Sequence, residues 1–205
     1  VAPLGYAPDK LVKCIWAGMK DMVGNDGAHT NEEVFWTRFA QVFGEERLAD
    51  KPVFDDFYRN EFNESAKDCG FNPAAKQTVD ALKAMGFEVA LATNPVFPAA
   101  ATENRIRWAG LQPSDFTLFT TYENSRHCKP NVAYYRDVIA ALGRDPAACL
   151  MVGNDTGEDM PCGETGAKTF LLTDCLINAG GFDLARWPHG SFDDLMAWVR
   201  SSLTK

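Results

Sequence analysis

The stretch Met151-Val152-Gly153-Asn154-Asp155-Thr156-Gly157-Glu158-Asp159 is the most informative part of this 205-residue chain. It begins inside a short apolar run, residues 149–152, and passes into a loop rich in carboxylates. A continuous apolar run of this length is typical of a strand that is buried on both faces of a parallel sheet. The carboxylates then follow the carboxyl end of a strand, which is where ligands of such sheets bind.

Strand and helix patterns alternate around this stretch through most of the chain. Apolar runs of strand length occupy residues 87–92, 116–121, 149–152 and 168–172. Helical patterns occupy residues 73–86, 98–109, 131–142, 157–165 and 192–203, and residues 178–190 read as a loop. This alternation predicts an α/β fold, with a Rossmann-like parallel sheet and helices on both of its faces.

The first 72 residues carry helical patterns only. Apolar residues recur at helical spacing in 8–22, 34–43 and 52–66, and Thr30 with Glu33 forms a capping-box pattern before the second of these segments. No strand is needed before residue 86. We therefore predict a helical domain over residues 1–72 and an α/β core over residues 73–205.

Polar residues follow two further predicted strands. Thr93 and Asn94 end the strand at 87–92, where a hydroxyl, an amide and a nearby helix N-terminus could bind an anion. Alternatively, the pair only caps the next helix. Lys129 precedes Pro130 and a helix, so it either balances the charge of a bound phosphate and a carboxylate or is an ordinary surface lysine.

Asp155 and Asp159 lie four residues apart at the end of the third predicted strand. Carboxylate oxygens in a loop that opens a helix suit Mg²⁺, which binds one or two carboxylates together with waters and phosphate oxygens. Acidic residues are also favoured at any helix N-terminus. Taken alone, this pair supports the two interpretations equally.

The order Thr93-Asn94, then Lys129-Pro130, then Asn154-Asp155 resembles the second, third and fourth motifs of the haloacid dehalogenase (HAD) superfamily over about residues 73–175. The separations, 129 − 93 = 36 and 155 − 129 = 26 residues, each correspond to about one strand-helix unit. The resemblance implies that residues 1–72 form a helical cap. It also implies a Mg²⁺-dependent phosphatase that acts on a small phosphorylated metabolite through an aspartyl-phosphate.

The same resemblance assigns roles to individual residues. Thr93 and Asn94 would bind the transferring phosphoryl group, and Lys129 would neutralise the charge around it. Asp155 would hold Mg²⁺, with Asp159 as a second ligand or as a residue that supports the first. Many members of the superfamily have an aspartate where this chain has Asn154, and an amide is a weaker, neutral ligand.

The first motif of the superfamily, an apolar strand ending in Asp-x-Asp, is absent from the sequence. Asp26 stands in an Asn-Asp-Gly turn that no apolar strand precedes, and Asp55-Asp56 has the periodicity of a solvated helix edge. We therefore expect the nucleophile strand to lie outside the chain, in a preceding segment, and expect the chain by itself to be inactive. A partner chain or a swapped strand could also fill the position of that strand.

Three other functions stay open: a non-catalytic fragment that binds a phosphorylated ligand, a dehalogenase and a phosphomutase. His29, in the loop before the second helical segment, is either a lid contact or a surface residue. Trp16, Trp36 and Trp108 are interpreted as packing anchors rather than as substrate platforms. The sequence does not indicate the substrate or the oligomeric state.

The composition excludes some classes of partner. The formal net charge is −8 and there is no block of Lys and Arg. This argues against binding to nucleic acid or to an anionic membrane surface. No apolar stretch has the length of a transmembrane helix and no signal peptide is evident, so we expect a cytoplasmic location.

Overall fold

A computed structural model describes residues 2–203. The chain forms two compact units. The first, called here the helical unit, comprises the residues up to 73 together with 89–128. The second, called the sheet unit, comprises residues 74–88 and those from 129 onward. Residues 89–128 were predicted to be part of the α/β core, but they form one compact unit with the residues up to 73. Compactness alone does not test where a cap ends, so the boundary at residue 72 stays a prediction.

The helical unit begins with a pair of packed helices, α1 (Pro8–Val23) and α2 (Asn31–Phe43). The capping box predicted for α2 is confirmed, because Thr30 Oγ1 accepts the Glu33 N–H at 3.2 Å and the Glu33 carboxylate accepts the Thr30 N–H at 2.8 Å. Gly18 allows close packing, since a Cβ there would lie 2.6 Å from the Phe35 ring. The apolar core of this unit is built around five buried residues: Leu11, Cys14, Trp36, Phe39 and Phe54.

The third predicted helix, 52–66, is found in two pieces. Helix α3 covers Lys51–Arg59, and a 3₁₀ helix covers Glu61–Asp68. The break falls at Asn60, which has a non-helical backbone with φ −114° and ψ −83°. The apolar spacing predicted the burial of Phe54 in the first piece, whereas no residue of the second piece is buried. It did not predict the break between the two pieces.

The segments 89–92 and 117–120 run parallel in the helical unit, ahead of and after helix α5 (Ala99–Trp108). The Leu91 N–H donates to Leu118 O at 2.8 Å, and the Thr120 N–H donates to Leu91 O at 3.1 Å. The prediction of regular strands at 87–92 and 116–121 is wrong, because the two segments form a single bridge between Leu91 and Phe119.

The physical reason for this difference is that the apolar run 87–92 is divided between the units. Phe87 packs in the core of the sheet unit, whereas the backbone from Val89 onward bonds to the 117–120 segment. A short apolar run indicates that its residues are buried, but it does not indicate whether they pair with a neighbouring strand.

The sheet unit is built on a parallel sheet of three strands in the order β1 (Leu150–Gly153), β2 (Lys168–Leu172) and β3 (His189–Gly190). Leu150 pairs with Lys168, and Leu171 pairs with His189. The strands predicted at 149–152 and 168–172 are confirmed. Strand β3 falls in the predicted loop 178–190, since two residues are too few to give a periodic signal.

Three helices complete the sheet unit: α4 (Pro73–Ala84, all but its first residue), α6 (Val132–Ala141) and α7 (Phe192–Ser202). Phe170, Leu195 and Val199 form the centre of the core. The helix predicted at 157–165 is a short 3₁₀ helix, Met160–Thr165, with Pro161 and Gly163 inside it. Both residues disfavour a longer α-helix.

The predicted fold class is confirmed as an α/β fold with a parallel sheet and a helical portion. Within residues 2–203, no helix combines the length and the apolar character that a membrane crossing requires.

Candidate active site

The end of strand β1 is shaped by a network of hydrogen bonds around two aspartates. The Asp155 N–H donates to Asp159 Oδ2 at 2.9 Å, and Asp155 Oδ1 accepts the N–H groups of Gly157 at 2.7 Å and Glu158 at 3.0 Å. A carboxylate that accepts backbone N–H groups two and three residues later fixes a tight turn. The predicted metal-binding loop therefore has a set backbone conformation.

Lys129 forms a buried ion pair with Asp159. Lys129 Nζ lies 2.6 Å from Asp159 Oδ1, and each residue is only 6% exposed. The interpretation of Lys129 as an ordinary surface lysine is therefore wrong. Its ammonium group also lies 5.9 Å from the centre of the Tyr134 ring. Removing two charges from water costs several kcal/mol per ion, so a buried pair is weak evidence for net stabilisation.

Gly153, the last residue of β1, makes room for this ion pair. A Cβ built at Gly153 would overlap the Asp159 carboxylate. The carboxylate of Asp159 therefore folds directly over the end of the strand and brings the Lys129 ammonium group with it. An ammonium group paired with a carboxylate therefore lies at the carboxyl end of a parallel strand, where ligands of such sheets bind.

A second loop, residues 175–178, supports the loop that follows β1. Asn154 Nδ2 donates to Cys175 O at 2.6 Å, and the Thr156 N–H donates to Ile177 O at 3.0 Å. Thr156 Oγ1 also lies 3.0 Å from Asn178 Oδ1. Residues 175–178 follow no recognisable sequence pattern, so this supporting contact could not be predicted.

Tyr135, on α6, holds the other side of the loop by donating from its hydroxyl group to Glu158 O. Burial raises the pKa of Tyr135, and the nearby charge of Asp159 raises it further. The phenol therefore stays protonated at neutral pH and keeps its role as a donor.

Thr93 and Asn94 lie in the helical unit, in a segment whose backbone is held on both sides. Thr120 Oγ1 donates to Thr93 O at 2.8 Å, and Asn31 Nδ2 donates to Pro95 O at 3.1 Å. The N-cap of α5 is Pro98, so the alternative in which the Thr93-Asn94 pair caps this helix is wrong.

The structure groups the predicted site residues as follows. Lys129, Asp155 and Asp159 come together within the sheet unit through the bonds given above, and Asn154 precedes Asp155 in the chain and is bonded to Cys175. Thr93 and Asn94 belong to the helical unit.

The remaining candidate residues, three aspartates and one histidine, lie outside this network of hydrogen bonds. Asp26 is exposed, and its Oδ1 accepts the Ala28 N–H at 3.0 Å in a turn. Asp56 is exposed and pairs with Arg59 at 3.0 Å. Asp55, predicted to lie on the same solvated edge, is only half exposed and lines a cavity. His29 is exposed and lies 3.6 Å from Glu33.

The described residues fit a magnesium ion only in part. Asp155 offers one half-buried carboxylate beside the amide of Asn154, and Mg²⁺ can be held by one carboxylate with waters and a substrate phosphate. Both oxygens of Asp159 are already used by Lys129 and by the Asp155 N–H. In residues 2–203, no three His, Cys, Asp or Glu side chains are gathered in a way that could hold a metal.

The sheet order β1-β2-β3 places the Lys129–Asp159 pair at the end of β1, and comparison with known proteins gives the family of the chain. The model of the haloacid dehalogenase-like hydrolases matches residues 11–165. The chain belongs to this family. No curated protein matches the chain.

Several solved structures share the fold. A HAD phosphatase from Thermococcus onnurineus is 15% identical with a TM-score of 0.55, and the match covers 93% of this chain and 90% of that one. L-2-haloacid dehalogenase from Xanthobacter autotrophicus, with chloropropionic acid covalently bound, is 16% identical with a TM-score of 0.55, covering 94% and 84%.

A predicted phosphoglycolate phosphatase from Haemophilus somnus 129pt is 20% identical with a TM-score of 0.53. The match covers 82% of this chain but only 66% of that protein. At these identities the similarity shows the fold alone.

Proposed function

We propose that the chain is the main part of a phosphatase that hydrolyses a small phosphorylated metabolite. The observation that carries this proposal is the buried Lys129–Asp159 pair at the end of β1. The Asp159 carboxylate balances the charge of the Lys129 ammonium group and holds it in place, so the remaining N–H groups of Lys129 can donate to an anion without reorganisation. Because the net charge of the chain is −8 and this pair is neutral, an anionic substrate also requires the positive charge of a metal ion at the site.

Thr93 and Asn94 supply the remaining contacts to the phosphoryl group in this proposal. The Thr93 hydroxyl and the backbone N–H groups of the segment donate to phosphoryl oxygens, and the bonds to Thr93 O and Pro95 O keep the segment in place. Asp159 acts through Lys129, whose position it fixes, rather than on the substrate.

Asp155, with Asn154 beside it, would hold Mg²⁺. The ion would neutralise charge on the phosphoryl oxygens. Asp159 is better suited to hold Lys129 than to bind the metal, because both of its oxygens already accept hydrogen bonds.

The phosphoryl-accepting aspartate of this proposal comes from a segment other than residues 1–205. This rests on the lack of an Asp-x-Asp motif after an apolar run and on the exposed turn around Asp26. Carboxylate nucleophiles form an aspartyl-phosphate that water then hydrolyses.

The experiment that tests the proposal is the binding of inorganic phosphate to the chain, measured by isothermal titration calorimetry with Mg²⁺ and with chelator. Thr93→Val should weaken binding about tenfold to a hundredfold, the range for losing one hydrogen bond to a charged group. Thr117→Val, at an exposed threonine of the neighbouring segment, is the matched control and should bind like the wild type. Equal affinity of the two variants would overturn the proposal.

Turnover supplies a second readout. The chain alone should not release phosphate from p-nitrophenyl phosphate, whereas a chain extended upstream should do so, with loss of activity in chelator. Halide release from 2-chloropropionate that chelator does not inhibit would instead identify a dehalogenase.

A further inference from the structure

Helix α1 carries two apolar stripes, although packing in a domain requires one. Leu11, Cys14 and Met22 are buried and form the first stripe. Val12 and Trp16 belong to a second stripe and are 51% and 65% exposed. The interpretation of Trp16 as a packing anchor is therefore wrong. Trp36 and Trp108 do pack as anchors, since their indole N–H groups donate to Tyr122 Oη and Asn63 Oδ1 at 3.3 and 3.1 Å.

The second stripe forms one wall of a cavity of about 390 Å³ inside the helical unit. Ile15 and Met19 belong to the same wall, and Phe35, Trp36 and Phe54 also line the cavity. Cavities of this volume with mostly apolar walls are typical of small-molecule sites.

The polar groups of the cavity are few. They are the carboxylate of Asp55, the hydroxyl groups of Tyr58 and Tyr122 and the indole N–H groups of Trp16 and Trp36, and none of the lining residues is basic. Burial raises the pKa of Tyr58 and of Tyr122, so both phenols are neutral at physiological pH. The single charge of the wall is therefore negative, which disfavours a ligand group that carries a negative charge of its own.

The cavity is connected to the candidate phosphate site by a short piece of chain. Val96, Phe97 and Pro98 line it, and Val96 stands two residues after Asn94. Two Cα steps span at most about 7.6 Å. Phe97 O accepts the Tyr122 N–H at 3.0 Å, which fixes this piece of chain against another wall residue. A ligand body in the cavity thus lies within reach of a phosphoryl group held by the Thr93-Asn94 segment.

We infer that this cavity receives the uncharged, apolar body of the substrate, so that the substrate class is a phosphomonoester of a phenol or of another hydrophobic alcohol. Phosphate esters that carry a second acid group are disfavoured. The part of this inference that concerns phosphate rests on the proposed function, whereas the binding of the apolar body does not.

The test compares three probes on the full chain by isothermal titration calorimetry: 2-naphthyl phosphate, 2-naphthol and phosphoglycolate. 2-Naphthyl phosphate should bind at least about tenfold more tightly than phosphoglycolate, since burying an aromatic ring is worth this much. Trp16→Ala should weaken the binding of both naphthyl probes about tenfold and leave inorganic phosphate unchanged. Phe71→Ala, at an aromatic residue that is 61% exposed and lies away from the lining, is the matched control.

The outcomes separate the two proposals. Binding of 2-naphthol that depends on Trp16 supports the cavity even if phosphate adds nothing, in which case only the proposed function fails. If 2-naphthol does not bind, or if Trp16→Ala and Phe71→Ala bind it alike, the inference is overturned. Self-association that Trp16→Ala abolishes, without binding of 2-naphthol, would also overturn it and would identify a second copy of the chain as the occupant.

Discussion

The side-chain amide of Asn31 donates a hydrogen bond to the backbone carbonyl of Pro95 at 3.1 Å, across 64 residues of sequence. Asn31 is fully buried at the first turn of α2, and its Oδ1 accepts from Asn25 Nδ2 at 2.9 Å. Its backbone N–H donates to Ser125 O at 2.8 Å. One buried amide therefore ties the start of a helix to the segment that follows Thr93-Asn94, within the helical unit.

Replacing Asn31 tests this connection. Asn31→Ala should lower the free energy of unfolding by about 1–3 kcal/mol, because it leaves buried partners without their hydrogen bonds. It should also weaken phosphate binding, since the segment around Thr93 loses a fixed point. Urea unfolding and calorimetric titration measure the two effects. The control is Gln77→Ala, at an exposed amide side chain within Pro73–Ala84, which should change stability by no more than about 0.5 kcal/mol.

The Lys129–Asp159 pair gives a prediction about coupled residues. Lys129→Met should destabilise the chain by about 3–5 kcal/mol, because it leaves the Asp159 carboxylate buried without a cation. Adding Asp159→Asn removes that charge and keeps an oxygen to accept the Asp155 N–H, so the double variant should be more stable than Lys129→Met. Denaturant unfolding of the two single variants and the double variant measures this coupling. Additive losses would contradict a direct pair.

The helical part of the fold was predictable because caps and apolar spacing are local signals. The capping box of Thr30 and Glu33 and the proline at the start of α1 specify two helices almost to the residue. The segments around Leu91 and Phe119 were predicted less well, because a strand is defined by neighbours that are distant in sequence.

The candidate site was predictable where its residues follow strands, and less so elsewhere. The position of Asp155 follows from a strand that the structure confirms, whereas the segment before Lys129 forms only a bridge. The support from Cys175 and Ile177 depends on a contact between loops. The cavity beside Trp16 had a visible signal, since apolar residues at 12, 15, 16 and 19 form a second stripe on α1. The second stripe is hard to recognise in the sequence, because the buried stripe on the same helix already accounts for a helical apolar pattern.

Gly153 gives a prediction about steric fit. Gly153→Ala introduces a Cβ that overlaps the Asp159 carboxylate at the end of β1. We expect a loss of about 1–3 kcal/mol in the free energy of unfolding, the range for overpacking, together with weaker phosphate binding because Lys129 is displaced. The matched control is Gly70→Ala, where a Cβ would contact nothing within 4 Å. Equal stability and phosphate affinity of the two variants would contradict the close packing at Gly153.

The capping box of α2 gives a prediction about pH. The bond from the Thr30 N–H lowers the pKa of Glu33 below its ordinary value of 4.5 in the folded chain. A carboxyl group with a lowered pKa stabilises the fold above its unfolded pKa, and this contribution is lost as the pH falls through the folded pKa. At pH 7 the wild type should therefore have a higher melting temperature than Glu33→Gln. This difference in melting temperature should vanish at pH values below the lowered pKa of Glu33. Glu61→Gln, at an exposed glutamate, serves as the control for general charge effects. A difference in melting temperature between wild type and Glu33→Gln that stays constant from pH 7 into acid would show that the ionised carboxylate does not stabilise the start of α2.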